Sequence, residues 1–258
     1  MSDCCKSGFK WDAQPTGTET KLGELNAYVA GNSKSAAVLI VADIFGWTLP
    51  NIRVIADHFA KEANVTVYVP DLYVVRILSS KVSLTVCSFD GEVVKPEFLE
   101  DPELRKTFSI PEFIGRHSKD IRWPSILESA KLLKSQYPKL GAIGYCYGAW
   151  AVFKLAADSS LIDSATVAHP SLLEKSEIDG LKVPTQILAP EHDHAYTPEL
   201  KEYSNKVIPT LNIPYDYVYF PGVAHGFAAR GDPNNPTQKQ ALERAKRAAV
   251  NWFNEWLH

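Results

Sequence analysis

The chain has 258 residues, of which 45% are hydrophobic and 22% are charged, and its formal net charge is -3 at pH 7. This composition is ordinary for a globular protein with a sizeable core, and the charge excludes a basic nucleic-acid surface or a polybasic membrane anchor. We expect neither a membrane span nor a secretory signal, because no apolar run is long enough for the first and the N-terminus lacks the pattern of the second.

Four cysteines occur, Cys4, Cys5, Cys87 and Cys146. Two adjacent and two isolated cysteines do not form a disulfide framework for a chain of this size, so the pattern predicts a reducing cytoplasm. The Cys4-Cys5 pair is typical of a mobile tail, with metal binding, lipidation or oxidation as alternatives.

In chain order, the first predicted unit is a strand, a helix and a second strand. The runs AAVLIVAD (36–43) and NVTVYVPD (64–71) are short, rich in β-branched residues and end in an acid at a turn. Such runs indicate buried parallel strands. Between them, NIRVIADHFAKEA (51–63) has apolar residues at helical spacing.

The same alternation continues to the end of the chain. Helices are predicted over 118–136, 147–158, from 198 onwards and over about 236–256, and strands over 140–145, 163–169, 183–190 and 214–220. The last helix is predicted to bury Leu242, Ala245, Ala249, Trp252 and Trp256. This order predicts one α/β domain over 1–258, with a mainly parallel sheet and helices on both faces. Segment 72–117 has weak periodicity and three prolines, so we interpret it as a lid-like excursion.

The stretch GYCYGAW (144–150) places a cysteine between two glycines, directly after a predicted strand and before a predicted helix. A nucleophile elbow needs small residues at Gly144 and Gly148, because the turn brings strand and helix into close contact. The helix N-terminus would then favour both a thiolate on Cys146 and an oxyanion beside it. The alternative is a buried structural thiol.

Ligands of open parallel sheets bind beyond the carboxyl ends of the strands. The residues that follow the predicted strands include Cys146, Asp193 and His225, in the order nucleophile, acid and histidine that an elbow requires. These three residues are therefore the predicted catalytic triad.

Five other histidines have alternative interpretations. His192 and His194 flank Asp193 and suggest a metal-dependent hydrolase as an alternative, although a third ligand is missing from sequence reach. His169 is interpreted as part of a structural His-Pro turn. His58 and His117 fall on predicted helical or lid segments and are interpreted as surface or packing residues.

The stretches IVADIFGW, GYCYGAW, PEHDH and PGVAHGFAARGD together resemble the dienelactone hydrolase family of the α/β-hydrolase fold. The resemblance covers nearly the whole chain and is closest to fungal members, whose N-terminus also has paired cysteines before a G-F-x-W stretch. It implies a carboxylic ester hydrolase of the carboxymethylenebutenolidase type, in which Cys146 is the nucleophile, Asp193 the acid and His225 the base.

The resemblance also implies supporting residues. The backbone N–H groups of Ile44 and Tyr147 would form the oxyanion hole. Asp43 stands where family members often have a glutamate that helps to deprotonate the thiol, and it is one methylene shorter. The substrate-binding candidates are Arg230 and Arg76, which suit a carboxylate, and the aromatic residues Tyr73, Phe45 and Trp47.

The predicted reaction is acyl transfer to water through a thioester. A thiolate leaves more readily than an alkoxide, so a cysteine favours enol lactones, activated esters or cyclic anhydrides. We predict no cofactor, metal, nucleic-acid or membrane partner, and the sequence leaves a homo-oligomer open. The rival hypothesis is a non-catalytic α/β-hydrolase homologue that binds a small ligand.

Overall fold

The computed structural model of the protein describes residues 6–73 and 93–258. Eight strands lie in these two ranges: β1 (Thr18–Leu22), β2 (Leu25–Ala30), β3 (Ala36–Val41), β4 (Thr66–Pro70), β5 (Lys139–Tyr145), β6 (Ser164–Ala168), β7 (Thr185–His192) and β8 (Tyr215–Ala224). The helices there are α1 (Pro50–Glu62), α2 (Glu97–Glu100), α3 (Pro102–Lys106), α4 (Ile110–Arg116), α5 (Lys119–Gln136), α6 (Gly148–Ala156), α7 (Lys175–Asp179), α8 (Pro198–Val207), α9 (Phe227–Arg230) and α10 (Pro236–Leu257). A short 3-10 helix spans Ile208–Leu211.

The strands form one sheet in the order β1-β2-β4-β3-β5-β6-β7-β8. From β4 to β8 all neighbours are parallel, whereas β1 and β2 are antiparallel to their neighbours. All six residues of β3 are buried, as its continuous apolar run predicts. The mainly parallel α/β architecture is therefore confirmed.

The N-terminal hairpin β1-β2 was not predicted from the sequence. Four of the five β1 residues are exposed, so TETKL lacks the alternation that marks a half-buried strand. The turn signal was nevertheless present, because Leu22 pairs with Leu25 across two residues and Gly23 has a φ of 58°.

Two strands are longer than predicted. β7 continues to His192 and β8 to Ala224, and these two residues pair with each other past a β-irregularity in β7. The extension brings the chain directly to Asp193 and His225, so it determines where both side chains enter the site.

The prediction of which α10 residues face the core was only partly correct. The buried residues include Ala245, Ala249 and Trp252, as predicted, but Leu242 and Trp256 are only partly buried. Ala241, Phe253 and Leu257 lie in the core instead. The helix is rotated relative to the predicted stripe, because Phe253 packs edge-to-face against Phe59 of α1, with ring centroids 5.5 Å apart.

The predicted excursion 72–117 is described only in part. Its described portion contains α2, α3 and α4, which are too short for a periodic signal. Arg76 and Cys87, like Cys4 and Cys5, lie outside the described residues. No helix in the described ranges is long and apolar enough to cross a membrane.

Candidate active site

Cys146 lies at the turn between β5 and α6, in the left-handed conformation that an elbow imposes. Its φ is 49°, which a residue other than glycine rarely adopts. A Cβ on Gly144 would lie 2.5 Å from the carbonyl oxygen of Gly148, and a Cβ on Gly148 would lie 2.0 Å from the carbonyl oxygen of Val41. Both positions therefore exclude a side chain, for the steric reason that the sequence pattern implies.

The Cys146 side chain is fully buried, and its sulfur faces the loop that follows β6. The Sγ atom lies 3.4 Å from the Ser171 Oγ atom. Two backbone hydrogen bonds hold the strands together here, from Cys146 N to Ala168 O at 3.1 Å and from Ser171 N to Cys146 O at 3.0 Å. Ser171 was not singled out in the sequence, although it stands at the sheet edge where ligands bind.

Asp193 and His225 form the second half of the predicted constellation. The His225 Nδ1 atom lies 2.9 Å and 3.0 Å from the two Asp193 carboxylate oxygens, and neither side chain is exposed. The N–H groups of Ala195 and Tyr196 also donate to Asp193, at 2.8 Å and 3.0 Å. The carboxylate is thus fixed by three donors, and it in turn fixes the His225 ring.

This arrangement keeps Asp193 ionised. Burial alone would raise the pKa of Asp193, but the hydrogen bond and charge of His225, together with the two N–H donors, hold the pKa below its ordinary value. An ionised Asp193 orients the Nδ1–H of His225 and leaves the other ring nitrogen for acid-base chemistry.

The metal-site alternative on His192, Asp193 and His194 is not supported. His192 and His194 are exposed, whereas Asp193 points inward to His225. Across the described ranges, no three histidine, cysteine or carboxylate side chains converge as a metal site would require.

His169, which was interpreted as part of a structural His-Pro turn, lies beside the His225 ring. Its ring centroid is 4.9 Å from that of His225, edge to face, and the residue is fully buried. Neither ring nitrogen of His169 has a hydrogen-bond partner in the described part of the chain. Burial, followed by the charge of His225, holds the pKa of His169 well below its ordinary value, so the ring is neutral at pH 7.

Asp43 and Arg230, predicted as separate functional residues, contact each other. One Asp43 oxygen pairs with the Arg230 guanidinium and the other accepts a 3.0 Å hydrogen bond from Phe45 N. Arg230 therefore pairs with Asp43 and not with Asp232, the partner that an exposed loop position would favour. Its guanidinium also lies over the Phe45 ring, 5.0 Å from the centroid.

The N-terminal segment GFKW holds this ion pair in place. Arg230 Nε donates to Ser7 O at 3.0 Å, and Phe9 N donates to Arg230 O at 2.8 Å. Trp11 Nε1 donates to Gly231 O at 2.9 Å. The buried Asn51 side chain donates to both Phe9 O and Ala229 O, which ties the segment to α9. The N-terminal segment thus has a structural role beside the site.

The two predicted oxyanion positions lie on either side of Cys146. Ile44 follows β3 and Tyr147 follows Cys146, and both are buried. Neither backbone N–H has an acceptor among the residues that the structure describes. The excursion contacts both positions, since Val94 N donates to Ile44 O at 3.0 Å and the Tyr147 hydroxyl donates to His117 O at 2.5 Å.

The aromatic candidates are all buried. Tyr73 packs against Tyr147, with ring centroids 5.5 Å apart, and burial followed by the charges of Tyr147 and Cys146 raises its pKa. Trp47 packs under the Arg53 guanidinium, 4.7 Å from the ring centroid.

Two of the remaining histidine interpretations are confirmed. His58 is exposed and pairs with Glu62, and His117 is buried against Phe113 with ring centroids 4.2 Å apart.

A cavity of about 300 Å³ borders His225 and Arg230. A larger cavity of about 450 Å³ lies between the N-terminal segment and α10, and its lining includes none of Cys146, Asp193 and His225.

The sequence model of the dienelactone hydrolase family matches residues 25–257. The chain belongs to the dienelactone hydrolase family. It is 31% identical to the hydrolase tropI of Talaromyces stipitatus, covering 98% of this chain and 96% of that protein. It is 29% identical to the hydrolase pyvD of Aspergillus violaceofuscus, covering 99% of this chain and 97% of that protein. A carboxymethylenebutenolidase homolog from Homo sapiens is 28% identical over 98% of this chain and 96% of its own.

A solved structure of dienelactone hydrolase from Anabaena variabilis shares the fold. It superposes with a TM-score of 0.62 at 17% identity, covering 95% of this chain and 99% of its own. The predicted α/β-hydrolase fold is confirmed. Membership of the dienelactone hydrolase family makes the protein a carboxylic ester hydrolase that acts on substrates of lactone or ester type.

Proposed function

We propose that the protein hydrolyses activated cyclic esters, such as dienelactones and other enol lactones, or related anhydrides, through a Cys146-His225-Asp193 triad and a thioester intermediate. The observation that carries the proposal is the elbow at Cys146, whose left-handed φ of 49° coincides with a His225-Asp193 pair at the same sheet edge. Loop 169–171 contacts both the elbow and the His225-Asp193 pair, because Ser171 contacts the Cys146 sulfur and His169 contacts the His225 ring.

In the acylation step, His225 takes the proton of the Cys146 thiol and the sulfur attacks the substrate carbonyl. The negative charge moves to the carbonyl oxygen, which the N–H groups of Ile44 and Tyr147 would stabilise together with the N-terminus of α6. The oxyanion then collapses, the ring C–O bond breaks, and the leaving oxygen takes the proton from His225.

In the deacylation step, His225 removes a proton from water, and the resulting hydroxide attacks the thioester. The C–S bond breaks, the acid product leaves, and the Cys146 thiolate takes back the proton from His225, which completes hydrolysis without a cofactor. In the first step the tetrahedral intermediate can expel either the sulfur or the substrate oxygen. A thiolate leaves more readily than a poor alkoxide, so such a substrate would be released unchanged. An enolate or a carboxylate leaves readily enough to avoid that competition, and this is why we favour enol lactones and anhydrides over amides.

The roles of the remaining candidates belong to this proposal. Tyr73, Phe45 and Trp47 would form the apolar wall of the substrate site. Arg230 would bind a substrate carboxylate only by giving up part of its pairing with Asp43, and Arg76 would be a second anchor. Asp43 would help to deprotonate the thiol only after the same exchange, because both of its oxygens have partners.

Two features support the cellular setting that we propose. Cys146 is a free thiol, which suits the reducing cytoplasm predicted from the cysteine pattern. The similarity to hydrolases of two fungi supports a role in fungal metabolism.

Steady-state hydrolysis of p-nitrophenyl acetate and of a dienelactone tests the proposal. We expect turnover by the wild type, its loss in Cys146→Ala, and full activity in a Cys4→Ala/Cys5→Ala/Cys87→Ala control. Turnover that survives Cys146→Ala would refute the nucleophile assignment. Absence of turnover in the wild type is the result that the non-catalytic alternative predicts, and inhibition by a chelator would revive the metal alternative.

A further inference from the structure

Ser171 is a polar side chain at the reacting sulfur to which neither the triad nor the oxyanion hole assigns a role. It is fully buried, and so is Cys146, with 3.4 Å between the Ser171 Oγ and Cys146 Sγ atoms. The sulfur is the partner of the Ser171 hydroxyl within the described ranges. A buried hydroxyl needs a partner to offset its desolvation, and the hydroxyl and the thiol share one hydrogen bond in which either group can donate. Once the sulfur is a thiolate, only the hydroxyl can donate.

The loop that presents Ser171 is fixed on the nucleophile. His169 and Leu172 both have left-handed backbone conformations, with φ of 38° and 58°, although neither is glycine. Such conformations persist only where the surroundings enforce them, and they occur often at functional sites. Here the loop's backbone is bonded to the elbow, since Ser171 N donates to Cys146 O at 3.0 Å. The hydroxyl and the sulfur therefore stay together.

Asp43, the other candidate for assisting the thiol, is already engaged. Its two carboxylate oxygens bind Phe45 N and the Arg230 guanidinium. The Ser171 hydroxyl contacts the sulfur without any such exchange. A neutral hydroxyl cannot deprotonate the thiol, but it can donate a hydrogen bond to the thiolate once His225 has taken the proton.

We propose that Ser171 is a further catalytic residue, whose hydroxyl donates a hydrogen bond to the Cys146 thiolate before acylation and again when deacylation expels it. This inference rests on the proposed nucleophilic role of Cys146. During attack the sulfur charge passes to the substrate carbonyl oxygen, the C–S bond forms, and the hydrogen bond weakens. When the thioester breaks, the sulfur regains its electron pair and the hydrogen bond returns. Ser171 thus stabilises the sulfur as a leaving group without itself gaining or losing a proton.

The test is the pH profile of Cys146 alkylation by iodoacetamide, followed by peptide mass spectrometry so that Cys4, Cys5 and Cys87 are counted separately. Ser171→Ala should move the midpoint of the profile up by about one pH unit, which is a tenfold loss of thiolate below the midpoint. Ser171→Thr retains a hydroxyl and should restore most of the shift. Ser164→Ala, which removes a buried hydroxyl at the far end of β6, should leave the midpoint unchanged.

Single-turnover kinetics add a second readout. Ser171→Ala should slow thioester hydrolysis by about tenfold, with a melting temperature close to that of Ser164→Ala. An unchanged alkylation midpoint and deacylation rate in Ser171→Ala would overturn the inference and leave Ser171 as a packing residue. If the wild type forms no acyl-enzyme, the proposed function fails instead, and the alkylation profile still judges the Ser171-thiolate contact separately.

Discussion

The neutral, buried His169 makes stability depend on pH in a way that one substitution can expose. His169 has no exposed surface and lies edge to face with the His225 ring, at 4.9 Å between centroids. Burial, followed by the charge of His225, depresses the pKa of His169 well below its ordinary value of 6.5. At pH values below 6.5 the unfolded chain therefore binds a proton on this residue that the folded chain does not.

The sign and size follow from proton linkage. A depressed histidine pKa contributes stability that is present above pH 6.5 and is lost as the pH falls below it. The slope approaches 1.4 kcal/mol per pH unit between the unfolded-state and folded-state pKa values, so His169 should remove up to about 2 kcal/mol of unfolding free energy between pH 7.5 and pH 5.0. Asp193 does not interfere, because its pKa is lowered from 3.8 and its contribution is lost only at lower pH.

Urea unfolding at pH 7.5 and pH 5.0 measures this difference. His169→Phe keeps an aromatic ring but cannot bind a proton, so it should lose less than the wild type over this interval, by up to about 2 kcal/mol. His194→Gln, which removes an exposed histidine, should lose as much as the wild type. An equal loss in His169→Phe and the wild type would refute the reasoning, even if the variant is less stable at both pH values.

Two further predictions concern the acid and the elbow. Asp193→Asn should lower kcat by about 10⁴-fold, because an amide in place of the carboxylate favours the wrong His225 tautomer; a fall of less than tenfold in p-nitrophenyl acetate hydrolysis would contradict this orienting role. Gly148→Ala should destabilise the fold by about 1–3 kcal/mol, since its Cβ would lie 2.0 Å from the Val41 carbonyl oxygen. Gly180→Ala is the matched control, with its nearest atom at 3.4 Å, and chemical denaturation that finds the two variants equally stable would contradict the steric argument.

The sequence predicts the sheet, the elbow at Cys146 and the positions of Asp193 and His225 at the sheet edge, because all of these depend on local patterns. The buried runs of β3 and β5 are continuous apolar stretches, and the elbow between Gly144 and Gly148 is a steric requirement that can be read from residue types. Asp193 and His225 were found from their positions after strands, and topology then brings them together. The β1-β2 hairpin escaped because its first strand is exposed and polar.

The contacts around the triad could not be predicted, because they depend on packing between distant segments. Asp43 and Arg230 are 187 positions apart in sequence, and the N-terminal segment, Asn51 and α9 together place the guanidinium on the carboxylate. Ser171 and His169 were hidden in a His-Pro-Ser stretch that is also typical of an ordinary turn. Only the backbone of the loop after β6 shows that they face the sulfur and the His225 ring.

Intact-mass measurement of the acyl-enzyme tests the central claim most directly. The protein would be mixed with p-nitrophenyl acetate, quenched in acid within the first turnovers and weighed, with peptide mapping to locate the adduct. The proposed mechanism predicts one acetyl group on Cys146 in the wild type and none at that position in Cys146→Ala. A wild type that turns over without an adduct on Cys146, or an adduct and turnover that persist in Cys146→Ala, would contradict it.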